Sequence, residues 1–213
     1  MTQTLAIEKV SLYELERKLG LQLERDPNFF REWQDDLPSL TSFETERLER
    51  VIAISANLER RSVLENTVKM AIVSPLLDLA GFFLPPFYVD TETTVEISAE
   101  EAGVKLRGRI DVLVLIEQIW VLVIESKRAG FSLKVGLPQA LSYMIASPQS
   151  PQPVFGLVTN GSSFVFLKLV QQDVPKYAKS KEFILDQDDG LSLTFQILKK
   201  LAAIANVLQP ISA

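Results

Sequence analysis

The 213-residue chain contains neither cysteine nor histidine. Without cysteine there are no disulfides, no thiol nucleophile and no thiolate metal site, an absence that suits a reducing cytosol. Without histidine, Ser-His-Asp triads, Cys-His pairs and the common zinc sites are excluded. Any metal bound here would therefore be a hard cation held by oxygen ligands.

Long apolar runs are also missing. The start, MTQTLAIEKVSLYELERK, has no basic segment followed by a long apolar one, so it does not resemble a signal peptide. The apolar runs Val112–Leu115 and Ile119–Ile124 are far too short to cross a membrane. We therefore expect a cytoplasmic protein that does not associate with membranes.

An overall basic charge is absent too, because the net charge is −5. A strongly basic chain would have indicated nucleic-acid binding. Between Lys105 and Lys134, however, there are six Lys or Arg residues and three acidic residues. This local excess is compatible with a phosphate ligand and equally with a solvated basic surface.

The chain is long enough for one domain with an extension, and its 47% apolar content is typical of a globular protein. Residues 1–60 have helical spacing of leucines at Leu12, Leu15 and Leu19, and Thr41 and Glu44 have the spacing of a capping box. We therefore predict a helical N-terminal extension over residues 1–60, packed on a main domain over residues 61–213.

The main domain combines helices with strands. A helical segment up to Phe83 precedes three strand-like segments, then a helix with Pro138 near its first turn, a hairpin around Asn160-Gly161 and a final helix. The segment IWVLVIESK is apolar on both faces, which indicates a central strand covered on both sides. This order predicts an α/β or α+β fold with a mixed central sheet flanked by helices.

Charged residues interrupt the apolar strands at Asp111, Glu125 and Lys127. Glu125 and Lys127 are two apart and should point the same way, while Asp111 belongs to the preceding strand of a predicted hairpin. Two neighbouring buried carboxylates are costly unless a cation compensates them, and Mg²⁺ or Mn²⁺ would do so. The alternative is a structural ion-pair network at a strand end.

The spacing of Asp111 and Glu125-Ser126-Lys127 resembles the signature of PD-(D/E)XK nucleases, although Ile110 stands where that signature has proline. Glu65 matches the upstream helical glutamate of the superfamily. Gln139 and Tyr143 match the Gln-x-x-x-Tyr of its RecB-like branch. The segment GLVTNGSSFVF is similar to a hairpin in the N-terminal nuclease domain of type I restriction R subunits. The resemblance covers Ser62 to Leu169, about half of the chain.

The resemblance implies a restriction-endonuclease-like fold and metal-dependent hydrolysis of phosphodiester bonds. It implies that Asp111 and Glu125 bind the metal, that Glu65 binds it directly or through water, and that Lys127 assists the attacking water. Gln139 and Tyr143 would orient the site or contact nucleic acid. The simpler readings are a surface acid for Glu65 and a packed helix face for the Gln-Tyr pair. The basic residues that could contact phosphates are Arg107, Arg109 and Arg128.

Two functions therefore remain open. The first is a Mg²⁺- or Mn²⁺-dependent nuclease, with DNA as the expected substrate. The second is a non-catalytic nuclease-fold module that binds nucleic acid or a partner protein in a restriction-type complex. A homodimer would suit double-strand cleavage, and restriction-type partner subunits would supply the motor and specificity functions that this chain lacks.

Overall fold

The computed structural model describes residues 3–60, 63–99, 104–148 and 152–207. In this part of the chain, eight strands form one mixed sheet flanked by helices. The strands are β1 (Gln3–Ala6), β2 (Gln22–Leu23), β3 (Tyr88–Ala99), β4 (Val104–Ile116), β5 (Ile119–Ser126), β6 (Val154–Thr159), β7 (Ser163–Gln171) and β8 (Pro175–Ile184). The α-helices are α1 (Leu12–Leu19), α2 (Ser42–Leu58), α3 (Glu65–Val68), α4 (Ser74–Leu79), α5 (Leu133–Ile145) and α6 (Gly190–Val207).

Strand β4 organises one half of the sheet. The sheet order is β1-β4-β5-β6-β7-β8-β2, and β3 pairs with the other edge of β4. On the edge opposite β3, the start of β4 pairs with β1 and its end pairs with β5, so residues 108–111 lie between the two partners. Helix α5 then connects β5 to β6, which are parallel. The mixed α/β architecture is as predicted.

Two apolar layers cover the sheet. The layer that we call the α6 layer contains residues of α2, α4 and α6, represented by Leu48, Leu76 and Leu198. The layer that we call the α5 layer contains residues of α1 and α5, represented by Leu15 and Met144. Strand β5 contributes Leu122 and Ile124 to the α6 layer and Val123 to the α5 layer, which confirms it as a central strand buried on both sides.

Local signals fixed several element boundaries. The capping box of Thr41 and Glu44 begins α2, and Gly20 ends α1 in the left-handed conformation with a φ of 67°. The predicted β4–β5 and β6–β7 hairpins are both present. Pro138, predicted near the first turn of α5, is instead the sixth residue of that helix.

Three strands lie outside the predicted pattern. The pattern of residues 1–60 predicts helices and a connection, yet this segment also supplies β1 and β2, which add to β4 and β8 in parallel. Strand β8 was also missed, because its alternating lysines make the segment PKYAKSKEF too polar to stand out. No helix in the described ranges is both long and apolar enough to cross a bilayer.

Candidate active site

Asp111 lies at the point in β4 where the even-numbered side chains move from the α5 layer to the α6 layer. Ile110 and Leu113 both pack in the α5 layer, although they are three residues apart, while Val112 packs in the α6 layer. The regular alternation of strand side chains is therefore reset at Asp111. The β3–β4 register places Glu92 opposite this point, and Glu92 has a φ of 59°, a left-handed conformation uncommon outside glycine.

The carboxylate of Asp111 is held against β5. Its Oδ2 accepts a hydrogen bond from the backbone N–H of Ser126 at 2.8 Å. The pairing of Val112 with Ile124 makes Asp111 and Glu125 the next residues to face each other along this antiparallel pair. The hairpin thus brings Asp111 to the end of β5, where the other predicted site residues lie.

Glu125 and Lys127 point the same way, as predicted. The Lys127 Nζ lies 2.5 Å from Glu125 Oε1, and both side chains are largely buried. The Lys127 backbone N–H donates to the Thr159 carbonyl at 2.7 Å, so the chain after β5 stays attached to β6. The other carboxylate oxygen, Glu125 Oε2, is buried and has no hydrogen-bond partner among the described residues. Such an atom is costly in a folded protein unless a ligand or a proton satisfies it.

Helix α5 packs directly over this ion pair because Gly136 has no side chain. A Cβ atom at Gly136 would lie 2.7 Å from Val158, 3.3 Å from Lys127 Cε and 3.5 Å from Glu125 Cγ. Gly136 was not among the predicted site residues. A glycine inside a helix costs stability relative to alanine, and that signal could have indicated a close approach here.

Gln139 and Tyr143 follow Gly136 on the same face of α5 by helical spacing, and both are buried. The Tyr143 ring lies against Gly108, where an added Cβ would be only 2.9 Å from Cε1, and its hydroxyl is hydrogen-bonded to the Arg109 backbone. Burial and the charge of Glu125 raise the pKa of Tyr143. Tyr143 therefore packs against the β4 backbone next to Asp111. The burial of Gln139 and Tyr143 fits the predicted role of orienting the site better than direct contact with nucleic acid, and both roles stay predictions.

Glu65 and Lys69 approach Asp111 from the helical side. Glu65 begins α3, and Lys69 begins a π-helical segment, Lys69–Val73, that leads into α4. The Lys69 Nζ lies 3.1 Å from Asp111 Oδ1 and 3.7 Å from Glu92 Oε1. Lys69 was missed, although its position four residues after Glu65 places both on one side of a helix.

Burial and neighbouring carboxylates together set the pKa values of Glu65 and Glu125. Burial, followed by the charge of Asp111, raises the pKa of Glu125 to about 8, although Lys127 opposes the shift. Burial and then Asp111 also raise the pKa of Glu65, so Glu65 is not an ordinary surface acid. We refer to these five residues as the acidic cluster: Glu65, Lys69, Asp111, Glu125 and Lys127.

The acidic cluster offers oxygen donors but no completed metal cage. In the described ranges, no three acidic side chains are positioned together to hold one metal ion. Lys69 supplies the cation that faces Asp111. The unpartnered Glu125 Oε2, together with the Asp111 carboxylate, still provides the hard oxygen ligands that Mg²⁺ and Mn²⁺ prefer, and these ions commonly retain several waters. The donor chemistry fits such an ion, and its binding stays a prediction.

The three arginines predicted to contact phosphates already have partners. Arg109 lies 2.8 Å from Glu92, and Arg107 lies 3.8 Å from Glu96, both across the β3–β4 pair. The guanidinium of Arg128 lies over the Phe131 ring. Phosphate contacts by these three arginines stay a prediction. A bound phosphate would have to compete with, or add to, the ion pairs and the ring contact that the arginines already make.

The comparison with known proteins adds no family to this description. No protein-family profile matches the chain, and no curated protein is significantly similar to it in sequence.

Proposed function

We propose that this protein is a cytoplasmic, metal-dependent nuclease with a restriction-endonuclease-like fold, which hydrolyses phosphodiester bonds of DNA. The observation that carries the proposal is the pairing of Asp111 with the end of β5. There Lys127 lies 2.5 Å from Glu125, and Glu125 Oε2 has no hydrogen-bond partner within the described part of the chain. An acid on one strand and an acid-X-Lys on the next can hold a divalent ion with oxygen ligands and place an ammonium beside its bound water.

The residues that would hold the ion are Asp111 and Glu125, with Glu65 directly or through water. When bound, Mg²⁺ or Mn²⁺ would lower the pKa of a water molecule and stabilise charge on the attacked phosphate. Lys127 would orient the nucleophilic water and stabilise the developing negative charge with its ammonium. Gly136 and Tyr143 contribute indirectly, since they let α5 pack against Lys127 and β4 and so keep these side chains in place.

The test is to incubate the purified protein with plasmid DNA, single-stranded DNA or RNA. Each substrate is tested with Mg²⁺, with Mn²⁺ and with EDTA, and cleavage is measured. We expect DNA cleavage that requires the divalent ion. Absence of cleavage with either ion, together with no heat of Mn²⁺ binding by calorimetry, would contradict the proposal. The same preparations analysed by sedimentation would show whether the active species is a homodimer.

The second candidate is a non-catalytic nuclease-fold module that binds nucleic acid or a restriction-type partner. It is favoured by the ion pair of Lys69 with Asp111, which places an ammonium where a metal ion would bind. It is also favoured by the arginines that are paired with acids of β3. This candidate predicts nucleic-acid binding that does not depend on metal and that weakens steeply with salt.

Replacing Lys69 by methionine separates the two candidates further. The Lys69 ammonium, 3.1 Å from Asp111, repels any divalent ion at the same carboxylate. We therefore expect Lys69→Met to tighten Mn²⁺ binding by about tenfold, measured by calorimetry. Lys134→Met, at an exposed position of α5, is the control and should leave the affinity unchanged. Equal Mn²⁺ affinity in wild type and Lys69→Met would show that Asp111 is not a ligand.

A further inference from the structure

A groove of about 460 Å³ opens beside the acidic cluster, between the helical segment that carries Lys69 and the β3–β4 pair. Asp111 and Lys69 line both the groove and the cluster. Its size is within the range of small-ligand sites and is too small to take in a nucleic-acid duplex. A molecule in the groove would therefore touch the Asp111 side of the candidate site.

The groove wall is apolar where it is most exposed. Met70, with 77% of its surface exposed, and Phe83, with 46%, both line it, and Val89 lies on the strand side. Exposed apolar side chains that lie together in a concave wall, unlike ones scattered singly over a surface, are typical of a binding site. The neutral polar side chains of Asn66 and Thr91 lie in the same wall and could hydrogen-bond to a ligand.

The charges in the groove argue against a phosphate as its occupant. Lys69 already faces Asp111 and Glu92, and Glu92 itself would repel a phosphate. The groove therefore suits a flat, neutral group that has apolar faces and hydrogen-bonding edges. An unpaired nucleobase has this chemistry, and bases bind proteins chiefly by stacking on exposed side chains.

We propose that this groove binds one unstacked base of the substrate, next to the phosphate that is cleaved. The inference rests on the proposed nuclease function and names its substrate class: DNA that is single-stranded, or locally unpaired, at the site of cleavage. A base inside a duplex could enter only after it is turned out of the stack.

The test measures binding of a fluorescein-labelled single-stranded thymidine oligonucleotide and of a duplex of equal length, in Ca²⁺. Every variant carries Lys127→Met so that cleavage does not interfere. We expect Phe83→Ala to weaken single-strand binding at least fivefold, the lower end of the effect of removing one aromatic stacking contact. Met70→Ala should weaken it about threefold, because it removes only an apolar contact with the base. Binding of the duplex should change much less.

Leu84→Ala is the matched control, because Leu84 is exposed, adjacent to Phe83 and outside the groove wall. Thermal unfolding of each variant shows that it is folded, and Met70 is exposed enough to be replaced without disturbing the core. Unchanged single-strand affinity in folded Met70→Ala would overturn the inference. An equal loss of single-strand affinity in Leu84→Ala would also overturn it. So would a Met70→Ala variant that differs from its parent only in self-association, measured by sedimentation.

The outcomes also separate this inference from the nuclease proposal. If the wild type cleaves DNA but the groove variants bind single strands normally, the groove inference fails and the nuclease proposal survives. If the wild type does not cleave DNA, yet Phe83→Ala and Met70→Ala weaken single-strand binding, the groove binds bases and the catalytic proposal fails.

Discussion

Lys127→Met is expected to lower the rate of metal-dependent DNA cleavage by about 10²- to 10³-fold, the usual cost of removing one group that stabilises charge in a transition state. Lys127 pairs with Glu125 at 2.5 Å but has no oxygen with which to bind a metal. Mn²⁺ affinity should therefore stay the same or increase, since a positive charge is removed. The rate is measured in single-turnover reactions, and the affinity by calorimetry.

Two further variants separate loss of metal binding from loss of catalysis and control for the removal of a surface charge. Asp111→Asn should lose both cleavage and Mn²⁺ binding, because the acid itself is the expected ligand. Lys134→Met should cleave at the wild-type rate, because its side chain is exposed on α5. If Lys127→Met cleaved normally, Lys127 would serve only as the counter-ion of Glu125, and the hydrolytic role proposed for it would be untenable.

The core of the candidate site could be predicted from the sequence because it depends on local periodicity. Strand alternation places Glu125 and Lys127 on one side, and a short connection at Glu117-Gln118 makes β4 and β5 a hairpin, which brings Asp111 to Ser126. These relations involve residues close together in the chain. They hold whatever the rest of the fold is.

The remaining features depend on packing between distant segments. Lys69 reaches Asp111 across 42 residues of sequence, and the contact requires the path of the helical segment before β3. Gly136 matters only because α5 crosses over the end of β5. The pairing of Arg109 with Glu92 follows from the β3–β4 register, which a weakly alternating strand does not reveal. A basic surface inferred from residue counts is therefore partly neutralised in the folded protein.

Strands β1 and β2 could not be predicted for a related reason. Each is four residues or fewer, and each gains its hydrogen bonds by adding in parallel to an edge that another segment provides. Such short segments carry no periodicity of their own. Their addition joins N-terminal residues to β4 and to β8, which the expectation of a helical extension packed on the main domain did not include.

Glu125→Gln is expected to stabilise the metal-free protein at alkaline pH by a few kcal/mol. The pKa of Glu125 is raised from 4.5 to about 8 in the folded state, chiefly by burial. Between these values the folded protein holds a proton that the unfolded chain has released, so stability falls as the pH rises. The slope is at most about 1.4 kcal/mol per pH unit and ends above pH 8. Glutamine keeps the shape of the protonated acid and removes the slope.

The measurement is urea unfolding in EDTA from pH 5 to pH 9. The difference between the wild-type and Glu125→Gln curves should grow with pH, because contributions from other titrating groups largely cancel in it. Glu49→Gln, at an exposed position of α2, should follow the wild type throughout. Adding Mn²⁺ should stabilise the wild type at pH 8 but not Glu125→Gln, since the ion takes the place of the proton on the same carboxylate. Parallel pH curves for wild type and Glu125→Gln would show that Glu125 is ionised in the folded protein without a metal ion. The reason to expect a metal there would then disappear.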